Sequence, residues 1–513
     1  MSLASIILVG LSASYPIPGV YFELDFAQGP VAGSSSPRTA LIIGNKTTAG
    51  SATIETVVYG PTSSTPVQTE ADVISLFGTG SQIHRAYLRF TAINPTTQLN
   101  YICVAESGGA NASTTQTIAT TATSNGNCRV WCGQDFVDTQ ISLGDTASVI
   151  AANIVLSVNS QTRWPVTAAA VAGVVTYTAR NAGPEGNWIR MQALITPATG
   201  TIGTTTTLTT NSFLSGGTTA DNNTNALATI KNTRYYTIVS CDSDATNLGR
   251  LVTQINSDAQ PTVGIRQRGF AGSMDTVANV ITLATGQNAA RLEVIAGAAC
   301  DMQPLEIAAN NAALYSLLES GAAVGVARKN FSNFPASAAD ATLWQVLPGR
   351  NGIGGSPTTA QIVSMLNNGV TPIAISTSGA SYLVKRVTTH CLNGSVPDFR
   401  VRDPHKVSVC DYWGDDAVAL TQLQFGGKDL LPDVAQGQPP PPSIAVMPSL
   451  WGGALKGLVS LYGNAGQFQN TANILATAIV QKEVSPPNRL SALFQLTPVD
   501  IADQFALLAL QTG

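Results

Sequence analysis

Charge is scarce in this chain: Asp, Glu, Lys and Arg together make up 11% of its 513 residues, where soluble domains average about 25%. Twenty-six basic against thirty acidic residues leave a net charge of −4. A basic face for phosphates is therefore missing, which argues against direct nucleic-acid binding. Aromatic residues are 6% and scattered, so there is no row of rings for bases to stack on. Seven cysteines are too few, and odd in number, for a secreted disulfide framework. Cys128 and Cys132 have no second pair or nearby histidines to complete a zinc site. No stretch reaches the ~18 apolar residues of a membrane span. The short run Leu3–Leu11 lacks a basic leader, so it is not expected to be a signal peptide. No fixed-period repeat is present.

Apolar residues make up 44%, and the length suits three or four units with real cores. Ser, Thr, Asn and Gly fill the place of the missing charges, the surface of a protein meant for contact. Residues 1–30 read as an extended arm, because Pro16 and Pro18 bar a helix and Val20, Phe22, Leu24 and Phe26 then alternate with polar neighbours. Residues 31–106 read as strand–helix–helix–strand: 39–44, 70–77 with Thr69 as cap, 82–94 and 99–105. Residues 107–230 are Thr-rich with short alternating runs at 128–132, 140–143, 174–179 and 188–194, and a helix at 145–156, a β-rich insertion. Residues 204–210 read as a further strand or loose edge. Residues 231–339 return to α/β, with strands at 235–241, 263–270 and 292–295 and helices at 244–258, 275–285 and 302–319. In 340–513 a helix at 360–367 closes on Gly369, 372–376 and 382–389 form a hairpin, and helices follow at 407–423 and 448–461. A strand at 488–496 leads to a terminal segment, about 500–513, that can pair as a strand. The fold class is α+β or α/β multidomain.

Nothing in the sequence marks an enzyme. His84, His390 and His405 stand outside any HExxH or Cys-rich spacing, and no GxSxG elbow is present. Each is expected at the surface or satisfied in a core. Gly349–Gly355 (GRNGIGG) is rich in glycine but lacks the lysine and spacing of a phosphate loop, and reads as a plain loop. Asp415-Asp416 and Asp398 with Asp403 lack calcium-loop spacing and read as solvated or helix-terminal charge. No cofactor and no metal are expected.

Five stretches carry a resemblance. They are Ile17-Pro18-Gly19-Val20-Tyr21 with Glu23 and Asp25; Ala71-Asp72 to Phe77-Gly78-Thr79-Gly80-Ser81 and on to Asn94-Pro95-Thr96-Thr97; Thr176-Tyr177-Thr178-Ala179-Arg180-Asn181 with Gly186-Asn187; Leu347-Pro348-Gly349 followed by Leu366-Asn367-Asn368-Gly369-Val370-Thr371-Pro372-Ile373 and 384–389; and Pro486-Pro487-Asn488-Arg489-Leu490 with Asp500 to Phe505. In this order the chain resembles the tail sheath proteins of contractile phages, nearest the Mu-like branch and akin to sheaths of R-type pyocins and other contractile injection systems. The resemblance implies a discontinuous inner core from about 31–106 and 340–513, with the insertion 107–230 and the α/β unit 231–339 projecting outward. It also implies a structural protein of the virion tail, assembled in the bacterial cytoplasm. Such a protein forms hexameric rings stacked as a helical sheath around a tail tube, meets baseplate and tail terminator proteins, and contracts to drive the tube through an envelope. It would touch no nucleic acid and insert in no membrane.

The residues support such an assembly independently. An unpaired strand at either end seeks another sheet edge, and five or six ladder bonds at about 1 kcal/mol each make a firm link. Ile17, Val20, Phe22 and Leu24 are the expected N-terminal contacts, and Leu507, Leu508 and Leu510 the C-terminal ones. Lys456, on the helix at 448–461, is the candidate for an acidic tube. The alternative is a receptor- or glycan-binding virion protein, which the Thr/Ser-rich insertion would suit.

Overall fold

A computed structural model describes residues 39–58, 69–133, 135–208, 212–260, 262–296, 302–319, 357–375, 381–433, 445–484 and 489–500. Both terminal arms with their seven named apolar residues, the 349–355 loop and the tip of the expected hairpin lie outside these.

The chain opens with β1 (Thr39–Gly44), β2 (Val57–Val58), α1 (Glu70–Phe77), α2 (Gln82–Ile93) and β3 (Gln98–Cys103). Thr69 caps α1 in a reciprocal box with Asp72, as expected from the sequence. The inserted unit follows: β4 (Ser113–Thr117), β5 (Gly126–Cys132), β6 (Asp135–Ile141), α3 (Ala147–Asn159), β7 (Val166–Val171), β8 (Val174–Ala179), a 3₁₀ turn at Pro184–Trp188, β9 (Arg190–Pro197) and β10 (Ser212–Phe213). Next come α4 (Thr224–Ile230), β11 (Thr237–Ser240), α5 (Ala245–Asp258), β12 (Arg268–Ser273), α6 (Val277–Gln287), β13 (Leu292–Ala296), α7 (Pro304–Glu319), α8 (Thr359–Asn367), β14 (Val370–Ile375) and β15 (Ser381–Leu383). The last part holds β16 (Leu392–Asn393), β17 (Val396–Pro397), α9 (Pro404–Phe425), β18 (Asp429–Leu430), β19 (Ala445–Val446), α10 (Pro448–Asn464), α11 (Thr471–Thr477), β20 (Ile479–Lys482) and β21 (Leu490–Leu493).

Eight strands form one sheet in the order β15-β14-β13-β12-β11-β1-β3-β2. The six central strands are parallel, and β2 and β15 close the two edges antiparallel. Strands buried on both faces read as continuous apolar runs, and β1 shows why. Ala40 and Ile42 enter a core with α1, α2 and α7, while Leu41 and Ile43 enter another with α4 and α5. From β1 the chain winds to β3 on one side and later to β11 on the other, so β1 and β11 flank a topological switch point. The sheet runs straight across the boundary expected at residue 231, because β11 pairs with β1 in register from Ala40 with Thr237 to Ile43 with Ser240.

The inserted unit has two antiparallel sheets, β10-β9-β5-β6 and β4-β8-β7, sharing one core with α3. Instead of a strand at 204–210, the described residues there make a single bridge, Thr206 to Ile118. The strand expected at 263–270 begins only at Arg268, because Gly264 turns at φ +73° and the Gln267 side chain is committed to the Tyr235 amide and Asp258. Beyond Leu383 the expected hairpin strand gives way to a segment whose Arg386 turns into the interior. The last part builds a small core of its own from α9, α10 and α11, with Val459, Tyr462, Phe468 and Ile474 at its centre.

Candidate functional site

The histidines and acids suspected of chemistry are engaged structurally. Gly80 N–H donates to His84 Nδ1 at 2.9 Å, and His84 Nε2 meets Glu70 Oε1 at 3.2 Å. An acceptor at Nδ1 leaves the ring proton on Nε2, and burial pushes this imidazole below its ordinary pKa against the pull of Glu70. His390 contacts Asp398, which Arg400 also holds, and His405 contacts the Val499 carbonyl. Asp403 pairs with Lys385, Asp415 with Arg234 and Arg266, and Asp416 accepts from Tyr462. Cys128 and Cys132 are buried, and burial lifts both thiols to about 12. Among the described residues no three His, Cys, Asp or Glu side chains could hold a metal ion.

What the fold does build is two stiff joints. The first ties the inserted unit to the main sheet through the Phe77–Ser81 motif. Gly80 has φ +65°, and a Cβ there would strike the Trp164 carbonyl and the Arg180 side chain, so only glycine lets the insertion approach this closely. Ser81 caps α2 by accepting from His84 N–H. Around it, Asn181 accepts from Gln82 N–H and donates to Lys46 O, and Arg163 makes a two-point contact with Glu70 at 2.7 and 2.5 Å. Arg85 bridges the Arg163 carbonyl and Glu306, which also accepts from Arg89. Burial works against the Glu306 charge, yet Arg85 and Arg89 hold its pKa below the usual range.

The second joint fastens α9 to the sheet. Asp411 and Asp415 lie one turn apart on α9, and Arg234, Arg266 and Arg291, each just ahead of or between strands, converge on them: Arg291 on Asp411 at 2.6 Å, Arg266 on Asp415 at 2.8 Å and Arg234 on Asp415 at 2.5 Å. Deeper, Glu293 of β13 takes Arg386 and Arg268, and Arg268 goes on to the Pro404 carbonyl and Ser408 of α9. The rings of Phe270 and Tyr315 face these guanidinium groups. Sequence reasoning took Asp415 for solvated or helix-terminal charge and did not single out Asp411, Glu293 or their arginine partners. The available signal was an arginine just ahead of β11, β12 and β13, in a chain with few charges.

Beyond α9, the exposed face of α10 carries Leu450, Gly453, Gly457 and Leu461, with open space above both glycines. Lys456 sits half-buried at the edge of this face. Beside it, β20 and β21 form a two-stranded ladder that pairs with no other strand among the described residues. Val480 rests on Gly452 of α10, while Ile479 and Leu493, directly opposite each other, are exposed, as is Val484.

Solved structures similar to this chain include sheath tail proteins. One from Desulfitobacterium hafniense has a TM-score of 0.48 at 12% identity, covering 94% of this chain and 97% of that one. One from Listeria innocua has a TM-score of 0.47 at 13% identity, covering 92% and 96%. By sequence the chain is a relative of the tail sheath protein of the Mu-like prophage FluMu of Haemophilus influenzae, 28% identical over 189 residues. That match covers 37% of this chain and 37% of the relative's length. No family model matches.

Proposed function

We propose that this chain is the structural sheath subunit of a contractile tail. It polymerises as stacked six-membered rings around a tail tube, between baseplate and terminator proteins, and its contraction drives the tube through a bacterial envelope. The observation that carries this reading is the sequence similarity to a Mu-like prophage tail sheath protein. The geometry fits a load-bearing part: ion pairs tie the inserted unit and α9 to the main sheet. On this reading the discontinuous core meets the tube, with α10 and Lys456 toward it, and the inserted unit points outward. The β20–β21 ladder, which pairs with no other strand among the described residues, is the acceptor for strand arms of neighbouring copies. Ile17, Val20, Phe22 and Leu24 donate from one end, and Leu507, Leu508 and Leu510 from the other. Rigid subunits tied by such arms rearrange without dissociating.

Electron microscopy of the purified protein tests this. Regular tubes or sleeves are expected from the full chain, and a folded monomer without sleeves after deletion of residues 1–28. Normal polymerisation of the truncated chain overturns the arm mechanism. A second reading, a receptor- or glycan-binding virion protein, is favoured by one feature: the outer face of the inserted sheet sets Arg129 over the Phe136 ring beside Trp131, with Leu194 exposed. A discrete trimer instead of tubes would select it.

A further inference from the structure

At the carboxyl ends of β1 and β11, where an open parallel sheet has its natural crevice, the main sheet and the inserted unit together gather acids. Asp242 and Asp244 follow β11, Glu106 follows β3, Glu185 comes from the 3₁₀ turn of the insertion, and Asp221 stands where the chain returns to the sheet. Three of them are buried: Glu185 is 8% exposed, Asp221 6% and Asp242 3%. Glu185 Oε1 accepts from Ser243 N–H and Oγ–H at 2.8 and 2.7 Å, bridging the two units, but Glu185 Oε2 has no partner. Asp221 accepts from Asn45 Nδ2 and Ser107 N–H, both at 2.5 Å, while Asn45 Oδ1 has none. Glu185 also lines a narrow cleft between the units, together with Arg85, Asn181 and Gln303. Gln303 Oε1 is a further buried acceptor without a donor.

The cations nearby among the described residues are engaged elsewhere. Arg85, lining the cleft from α2, pairs through its terminal nitrogens with Glu306 and the Arg163 carbonyl, leaving Nε without an acceptor; Lys46 donates to the Gly50 carbonyl, and Arg180 to the Trp164 carbonyl. No three of the acids are placed to hold a metal ion. What remains is the proton, which removes the charge from a buried carboxylate that has one oxygen without a donor.

We propose that the joint between the inserted unit and the main sheet is a proton-operated latch: Glu185 holds the units closed while protonated, and its ionisation loosens the joint. Burial pushes Glu185 up to about 7, Ser243 opposing and Asp244 and Asp221 adding to the rise. Burial, and then the charge of Glu185, pushes Asp242 well above the carboxylate range, and Asp221 is raised by burial too. A raised folded-state value means that stability is full in acid and is lost as pH climbs. For Glu185 the loss begins near its ordinary 4.5 and runs through about 7.

Hydrogen exchange on the full chain, corrected for intrinsic rates, reads this latch at the amides of Gln82, Ser107, Ala182 and Ser243. Between about pH 6 and about pH 8.5 their protection is expected to fall about tenfold, the change that one pKa unit represents. Protection in β12 and β13 is expected to hold. Glu185→Gln, neutral at every pH, is expected to flatten the fall. Equal protection of the wild-type joint at both pH values overturns the latch, as does an undiminished fall in this variant. Should a variant not fold, the wild-type comparison decides alone.

Discussion

Arg386 grips Glu293 with two hydrogen bonds, Nε to Oε2 at 2.8 Å and Nη2 to Oε1 at 2.6 Å, and the carboxylate is wholly buried. Arg268 shares the same Oε1. Removing one member of such a buried group strands the others, at a cost of about 3–5 kcal/mol. Glu293→Gln, which leaves two buried guanidinium groups facing a neutral amide, is expected to lower the urea midpoint accordingly. A change under about 1 kcal/mol would mean the joint is hydrated and contributes little.

Two glycines separate backbone strain from steric conflict. Gly369 and Gly394 both have positive φ, +75° and +62°. A Cβ on Gly369 would meet the Thr389 backbone at 2.6–2.8 Å, whereas nothing lies within 4 Å of one on Gly394. Gly394→Ala is expected to cost about 1 kcal/mol, and Gly369→Ala clearly more, compared by thermal midpoint.

The Thr69 cap is a local feature with a local consequence. Its hydroxyl accepts from Asp72 N–H and its own N–H donates to Asp72 at 2.9 Å. Thr69→Ala is expected to cost about 1 kcal/mol and to speed hydrogen exchange in the first turn of α1 before any other helix.

His84 gives the chain an acid-side limit opposite in sign to the carboxylate latch. Its folded pKa lies below 6.5 through burial, so as pH falls below 6.5 the unfolded chain takes up a proton that the native ring refuses, and stability declines until the folded value is passed. His84→Gln is expected to weaken that decline between pH of about 6.5 and 5, seen in unfolding midpoints measured across the range.

The bare face of α10 offers a test of tube contact that spares the fold. Nothing lies within 4 Å of a Cβ on Gly457, and glutamate is the better helix former by several tenths of a kcal/mol. Gly457→Glu is expected to keep or raise the melting temperature while abolishing assembly around a tube, scored by microscopy of the co-expressed proteins. Unimpaired assembly would remove α10 from the contact.

Much of the secondary structure could be read from the chain itself. The bounds of α1, its Thr69 cap and Gly369 beyond α8 follow from side chains and backbone groups a few residues apart. So does β1, whose unbroken apolar run announces a strand covered on both faces. The site was less legible. Asp415 looked like solvated charge because its partners, Arg234 and Arg266, lie 181 and 149 residues away. Glu293 gave no sign of its role inside the apolar strand LEVIA.

The sequence by itself thus determined the local conformations, the alternation of unit types and the resemblance to sheath proteins, since each rests on neighbours in the chain. Only the tertiary structure decided that β11 pairs with β1 across an intervening unit, that Glu185 meets Ser243, and that five arginines converge on Asp411, Asp415 and Glu293. Which strand lies beside which, and which charge loses its water, depends on long-range closure of the sheet, and that closure has no period in the sequence.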